Sequence, residues 1–355
     1  MGAGVPQAKR SSPRAPAPAF VPPYPPSWVD LLASWLERRP GPTWMYYVLA
    51  AAILVGVELF VQWYEGAYQD GFVPWHLFLF STPVLYLAIV HYLQHVASTG
   101  ADRFRPAIPG GDFTDAQYRL ITMPARPTLI VSLAAAIISA SALLEGPAAM
   151  TDYQMATTLV SQMAGAPFLL LQGWTFAALF YFLVHELRTV RRLLANAAAV
   201  DLYHPEPLYA FSPLTARTAA VMFFLTSAWT SLGNSPDLMG LLIGPPVMAL
   251  AAALFVWPLW GAHRLLVSEK QRAVSENASR FKAAAADLHR RMDAGSLERM
   301  DDLHKAMASL EIELAVLKRF PTWPWEPATL RGLAAAVFLP ILIWLTQYGL
   351  QRLLG

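Results

Sequence analysis

TWMYYVLAAAILVGVELFVQ, Thr43 to Gln62, carries a single ionisable acid, Glu58, and no basic residue. A helix needs about 20 predominantly apolar residues to cross the hydrocarbon core, so this run has the length and composition of a membrane span. Six further stretches read the same way: His76–Val96, Pro127–Leu144, Ala166–His185, Thr215–Leu232, Leu241–His263 and Thr329–Tyr348. The expected fold class is an all-α membrane protein with seven transmembrane helices. The 355-residue chain is 55% hydrophobic and 14% charged, whereas soluble domains carry about 25% charge.

Orientation follows from the basic residues. All but one of the 26 Lys and Arg fall before the first span or in the second, fourth and sixth gaps. The tail holds Lys9, Arg10, Arg14, Arg38 and Arg39, the second gap Arg103, Arg105, Arg119 and Arg126, and the fourth Arg188, Arg191, Arg192 and Arg217. The sixth holds Arg264 to Arg331, and only Arg352 lies elsewhere. Insertion retains Lys and Arg on the cytoplasmic side, so the N-terminus is expected inside and the C-terminus outside a plasma (inner) membrane. Glu58, Glu65, Asp70, Glu145, Asp152 and Asp237 then give the outer face an acidic character, which would either raise the local cation concentration or simply reflect that insertion does not penalise acids there.

The pieces between spans have their own patterns. Residues 1–26 are rich in Pro and Ala, without a signal-peptide apolar region, and are expected to be a disordered tail. Over 27–39, Trp28, Leu31, Leu32, Trp35 and Leu36 recur at helical spacing behind Ser27 and Asp30, a capping-box start for an interfacial amphipathic helix. Residues 43–263 form the first six spans. The sixth continues inward: Val274, Ala278, Phe281, Ala285, Leu288 and Met292, then Met300, Leu303, Met307, Leu310, Leu314 and Leu317, step by heptad spacing on either side of a Gly-containing break. A coiled-coil-like cytoplasmic hairpin is expected over 264–320, serving either as an intramolecular stalk or as a surface for oligomerisation or a soluble partner. Residues 321–355 supply a Trp/Pro belt and the seventh span, in which Pro340, like Pro245, Pro246 and Pro258 in the sixth, removes a backbone donor and should kink its helix.

The chemistry is sparse. The absence of Cys excludes disulfides, thiolate metal sites and Cys nucleophiles. No span contains Lys, which excludes a retinal Schiff base, and no phosphate-binding loop, kinase set, HExxH or GxSxG is present. No catalytic residue, cofactor or nucleic-acid partner is expected. His91 and His95, four apart, join His185 and His263 at one expected depth, where they could ligate a metal or haem, or simply meet headgroups and water. Thr346, Gln347 and Gln351, at the outer end of the last helix, would face either a neighbouring span or a water-filled path.

Two blocks, DLYHPEPLYAFSPLTARTA (Asp201–Ala219) and PTWPWEPATLRG (Pro321–Gly332), resemble segments of an uncharacterised family of bacterial multi-pass membrane proteins, a resemblance that implies no function. At the level of architecture the layout is similar to insect odorant and gustatory receptors, which are tetrameric ligand-gated cation channels. That resemblance implies a homo-oligomer whose path is lined by the outer half of a broken seventh helix. The family's Thr-Tyr pair followed by Gln-Phe is not present; Thr346-Gln347-Tyr348 with Gln351 stands in its place. A channel or sensor, a scaffold recruiting a soluble partner through 264–320, and a His-dependent membrane enzyme are the functional alternatives.

Overall fold

A computed structural model describes residues 20–108, 113–146, 150–151, 153–195, 206–232, 238–295, 300–323, 325, 331–332 and 334–335. Among them the chain is helical, and its β-type pairing is confined to an isolated bridge between Pro26 and Pro124. The longer helices are α1 (Trp28–Glu37), α2 (Thr43–Tyr64), α3 (Trp75–Phe104), α4 (Thr114–Ile121), α5 (Ala125–Ser141), α6 (Leu159–Ala195), α7 (Ser212–Leu232), α8 (Leu238–Asp293) and α9 (Met300–Arg319). Among the described residues three segments are long and apolar enough to cross a membrane: Thr43–Tyr64, Trp75–Ala107 and Leu159–Ala195. α5 is a shorter apolar helix. The seventh span, with Pro340, Thr346, Gln347 and Gln351, falls almost wholly outside the described residues, as do Asp152 and Asp237.

α2 shows why these helices suit lipid. Its Val48, Leu49, Ile53, Val57 and Phe60 are all more than half exposed, an apolar surface that water would penalise. The opposite face of α2 meets α3 and α6. Ring and hydrogen-bond contacts set the register. Phe80 packs on Phe168, Thr82 meets Gln172 and Tyr86 packs on Phe176, so α3 and α6 run parallel. Phe211 meets Phe104, Arg217 lies over Tyr92 and Trp229 meets Trp75, so α7 runs antiparallel to α3. α5 approaches α6 most closely at Gly173, where a Cβ would lie 2.5 Å from Ala135 O and 2.6 Å from Ser139 Cβ. Only glycine fits that crossing. The parallel register gathers the Arg-bearing C-terminal ends of α3 and α6 with α1 and α4 at one end of the bundle, called here the basic end.

α1 carries the expected cap. Asp30 N donates to Ser27 Oγ at 3.3 Å, and Ser27 N donates back to Asp30 Oδ2 at 2.8 Å. The helix buries Val29, Ala33 and Leu36 and leaves Leu31 and Trp35 half exposed, with the Arg39 guanidinium 4.4 Å from the Trp35 ring centroid. The end of the Pro-rich segment is also engaged by the bundle. Tyr24 donates its hydroxyl to Thr122 O at 2.8 Å, Ala125 N donates to Pro25 O at 3.1 Å, and Tyr118 donates to Tyr24 O at 2.9 Å. Tyr24 to Pro26, the last residues of the segment expected as a tail, are thus tied to α4 and to the connection between α4 and α5.

α8 is continuous for 56 residues and remains helical through Pro245, Pro246 and Pro258. It ends where Gly295 adopts φ +64°, the left-handed conformation that closes a helix C-terminus at no cost to glycine. α9 then runs antiparallel along the last part of α8. Asn277 donates to Leu310 O and to Glu313, and the Lys270 ammonium caps the carbonyls of Lys318 and Phe320.

Candidate functional site

One group of buried polar residues lies where α2, α3 and α6 meet, at the end opposite the basic one. Gln62 is fully buried; its amide donates to Ser161 Oγ at 2.9 Å and accepts from Ala156 N at 2.8 Å, which fixes the amide's orientation. His76, also fully buried, lies between the Tyr68 hydroxyl, 2.7 Å from Nδ1, and Tyr153 O, 3.0 Å from Nε2. The carbonyl can only accept, so Nε2 carries a proton and donates to it, while Nδ1 meets the Tyr68 hydroxyl and both ring nitrogens are used. Deeper in, Thr82 Oγ1 is 2.6 Å from both Leu79 O and Gln172 Oε1, and Gln172 donates to the Tyr86 hydroxyl at 3.3 Å.

Glu58 sits between these two satisfied groups. It is one helical turn before Gln62 on the same face of α2, and it is 5% exposed. Tyr47 on α2 meets His91 on antiparallel α3, so Glu58, eleven residues on, stands at roughly the level of Phe80. Its Oε2 has no hydrogen-bond partner. Glu58 shares the buried stripe of α2 with Gln62, whose partners are Ser161 on α6 and Ala156 just before it. Of the other acids, Asp70 is exposed, Glu65 is half-buried, and Glu145 closes the 3₁₀ turn Ala142–Glu145.

The basic end holds two more buried acids. Asp30 is 8% exposed and fully engaged: Oδ2 accepts from Ser27 N, Ser27 Oγ and Met123 N, and Oδ1 accepts from Gln94 Nε2 at 2.6 Å. Burial nonetheless outweighs these donors and holds its carboxyl above the ordinary carboxylate range. The neighbouring Tyr24 phenol is likewise pushed up to about 12 by burial. Glu186, one residue after the expected fourth span, is 0% exposed, and neither of its oxygens has a partner. The side chain facing it is Thr218 of α7.

The four histidines considered as ligands go separate ways. His91 lies between Tyr47 and Glu37, its Nε2 3.0 Å from Glu37 Oε1, and His95 is exposed. His185 Nε2 is 2.9 Å from Arg119 O, and His263 Nδ1 is 2.8 Å from Thr322 O with its ring stacked on Trp323. Among the described residues no three His, Asp or Glu side chains converge in a metal-binding arrangement.

Sequence reasoning passed over Gln62, His76, Thr82, Ser161 and Gln172. The available signal was the interruption of apolar runs by amides and hydroxyls, and the four-residue step from Glu58 to Gln62. Chemically, the site offers one acid without a full set of partners in a low-dielectric interior, flanked by neutral hydrogen-bonding groups. That arrangement can hold a proton or a cation; a nucleophile paired with a base is not part of it. No protein-family model, curated protein or solved structure matches this chain.

Proposed function

We propose that the protein is a homo-oligomeric ion channel or membrane sensor of the plasma (inner) membrane that responds to cations or protons. It would thread the bilayer seven times, N-terminus inside and C-terminus outside, with 264–320 as a cytoplasmic helical hairpin. The outer half of the seventh helix, broken at Pro340, would line the path through Thr346, Gln347 and Gln351. The observation that carries the reading is Glu58: an acid inside a membrane-length apolar helix, turned into the bundle, with one oxygen left without a partner. Such a residue costs several kcal/mol to bury ionised and is found where ions or protons are handled. The alternation of helix direction between α2, α3 and α7, and the gathering of basic residues at one end, support the threading.

The test is ion flux in proteoliposomes of known orientation, with subunit counting by imaging of the same preparation. Wild-type protein should pass or be gated by monovalent cations or protons, and Glu58→Gln should change the pH or ion dependence of that flux. A monomer with no flux for any of these ions ends the reading.

A scaffold is the second reading, favoured by apolar surface left on α8 and α9: Phe281 remains 39% exposed, Met292 58% and, off the seam, Ile312 67%. A cytoplasmic protein that co-purifies with the full chain and is lost on deleting residues 270–318 would establish it.

A further inference from the structure

Where α8 leaves the bundle at the basic end, its surface forms a groove of about 480 Å³, lined by Trp260, His263, Arg264, Leu265, Ser268 and Gln271 among others. Trp260 is 48% exposed, and Trp257, one turn earlier, is 45% exposed. The Arg191 guanidinium from the end of α6 lies 4.9 Å from the Trp257 ring centroid, and Arg264 is exposed. Neither arginine pairs with an acid among the described residues. The nearest acid along α8, Glu269, is taken up by Arg272 at 3.9 Å. His263 is held flat by Trp323, with ring centroids 3.9 Å apart, and Thr322 O occupies its Nδ1, leaving Nε2 without a partner.

These features belong together chemically. Exposed indoles prefer the boundary between hydrocarbon and headgroups, where their rings are in an apolar phase and their N–H groups are in a wet one. Two arginines without acids are matched by phosphate, which a guanidinium grips with two parallel hydrogen bonds. Gln271 adds an exposed amide that can meet glycerol or headgroup hydroxyls. Soluble phosphate would account for the arginines but not for the tryptophans beside them. Zwitterionic lipid would account for the tryptophans but leave positive charge uncompensated.

We propose that this groove binds the phosphate headgroup of an acidic membrane phospholipid, held by Arg264 and flanked by Trp260, with the Arg191–Trp257 pair one helical turn beyond the groove adding a second positive charge. The proposal rests on the membrane reading above but not on ion conduction. Because α8 is continuous through the groove, an occupied site would brace the bundle against the α8–α9 arm.

Native mass spectrometry of the full chain, released from micelles containing equal amounts of phosphatidylglycerol and phosphatidylcholine, tests this. Selective retention of phosphatidylglycerol is expected, falling about tenfold in Arg264→Gln combined with Arg191→Gln, while Arg264→Lys keeps part of it. Arg103→Gln with Arg105→Gln, at the same end but off the groove, should leave retention unchanged, and thermal melting checks that every variant folds. Equal retention of the two lipids, undiminished retention in the double variant, or displacement of the lipid by inorganic phosphate overturns the proposal. Selective retention by a protein that passes no ions sinks the channel reading and leaves the lipid site standing.

Discussion

Asp30 and Glu186 are buried to nearly the same degree at the same end of the molecule, 8% and 0% exposed, yet their surroundings are opposite. Around Asp30 the chain supplies donors from α1, from Gln94 on α3 and from the backbone at Met123, so the carboxylate acts as a clasp joining three segments. Around Glu186, between α6 and α7, the Thr218 hydroxyl is the polar side chain that faces it. Burial alone therefore says little about what an acid does. A full set of donors marks a structural clasp, and a sparse set leaves the cost of burying the acid largely uncompensated.

The largest expected effect is on the clasp. Asp30→Ala removes the cap and strands the donors of Ser27, Gln94 and Met123, and should cost about 3 kcal/mol, read as a lowered melting temperature in detergent. An unchanged midpoint would erase the distinction between the two acids. Gln94→Leu takes away one donor from Oδ1 and should cost about 1–2 kcal/mol by the same measurement. Glu186→Leu should move the midpoint the other way, by about 1 kcal/mol, because an apolar side chain of similar size no longer has to be stripped of water. A loss as large as that of Asp30→Ala would show that Glu186 has a partner in the working protein.

The smallest effect is a pH slope. Asp30 titrates above its ordinary value in the folded protein, so folding takes up a proton in the interval between the unfolded and folded values. Its contribution to stability is fully present below the unfolded value and is lost as pH rises through the folded one. Melting of wild type against Asp30→Asn across the acid range should reveal this slope, falling with rising pH in wild type and absent in the variant.

The sequence made local features legible and long-range ones not. The cap of α1 was readable because Ser27 and Asp30 are three residues apart, and α2, α3 and α6 were readable because their apolar runs meet the length a membrane demands. The helix stop at Gly295 and the heptad leucines Leu310, Leu314 and Leu317 were visible for the same reason. The pairing of Asp30 with Gln94, of Gln62 with Ser161 and of Tyr24 with Thr122 depends on which helices become neighbours, and no local period encodes that. Glu58 shows the limit clearly. Its position along the chain placed it near a boundary, while its angular position, shared with Gln62, turned it inward.

The uninterrupted α8 has a mechanical consequence. A straight helix of 56 residues is about 84 Å long, and the part beyond Ala262 alone reaches about 46 Å. A tilt of about 5° at the bundle would swing the tip near Asp293 through about 4 Å, enough to break or make side-chain contacts there. The helix is thus a lever, with its fulcrum at the tryptophans of the basic end. Motions too small to notice among the packed helices would become changes of partner at the far end of the arm.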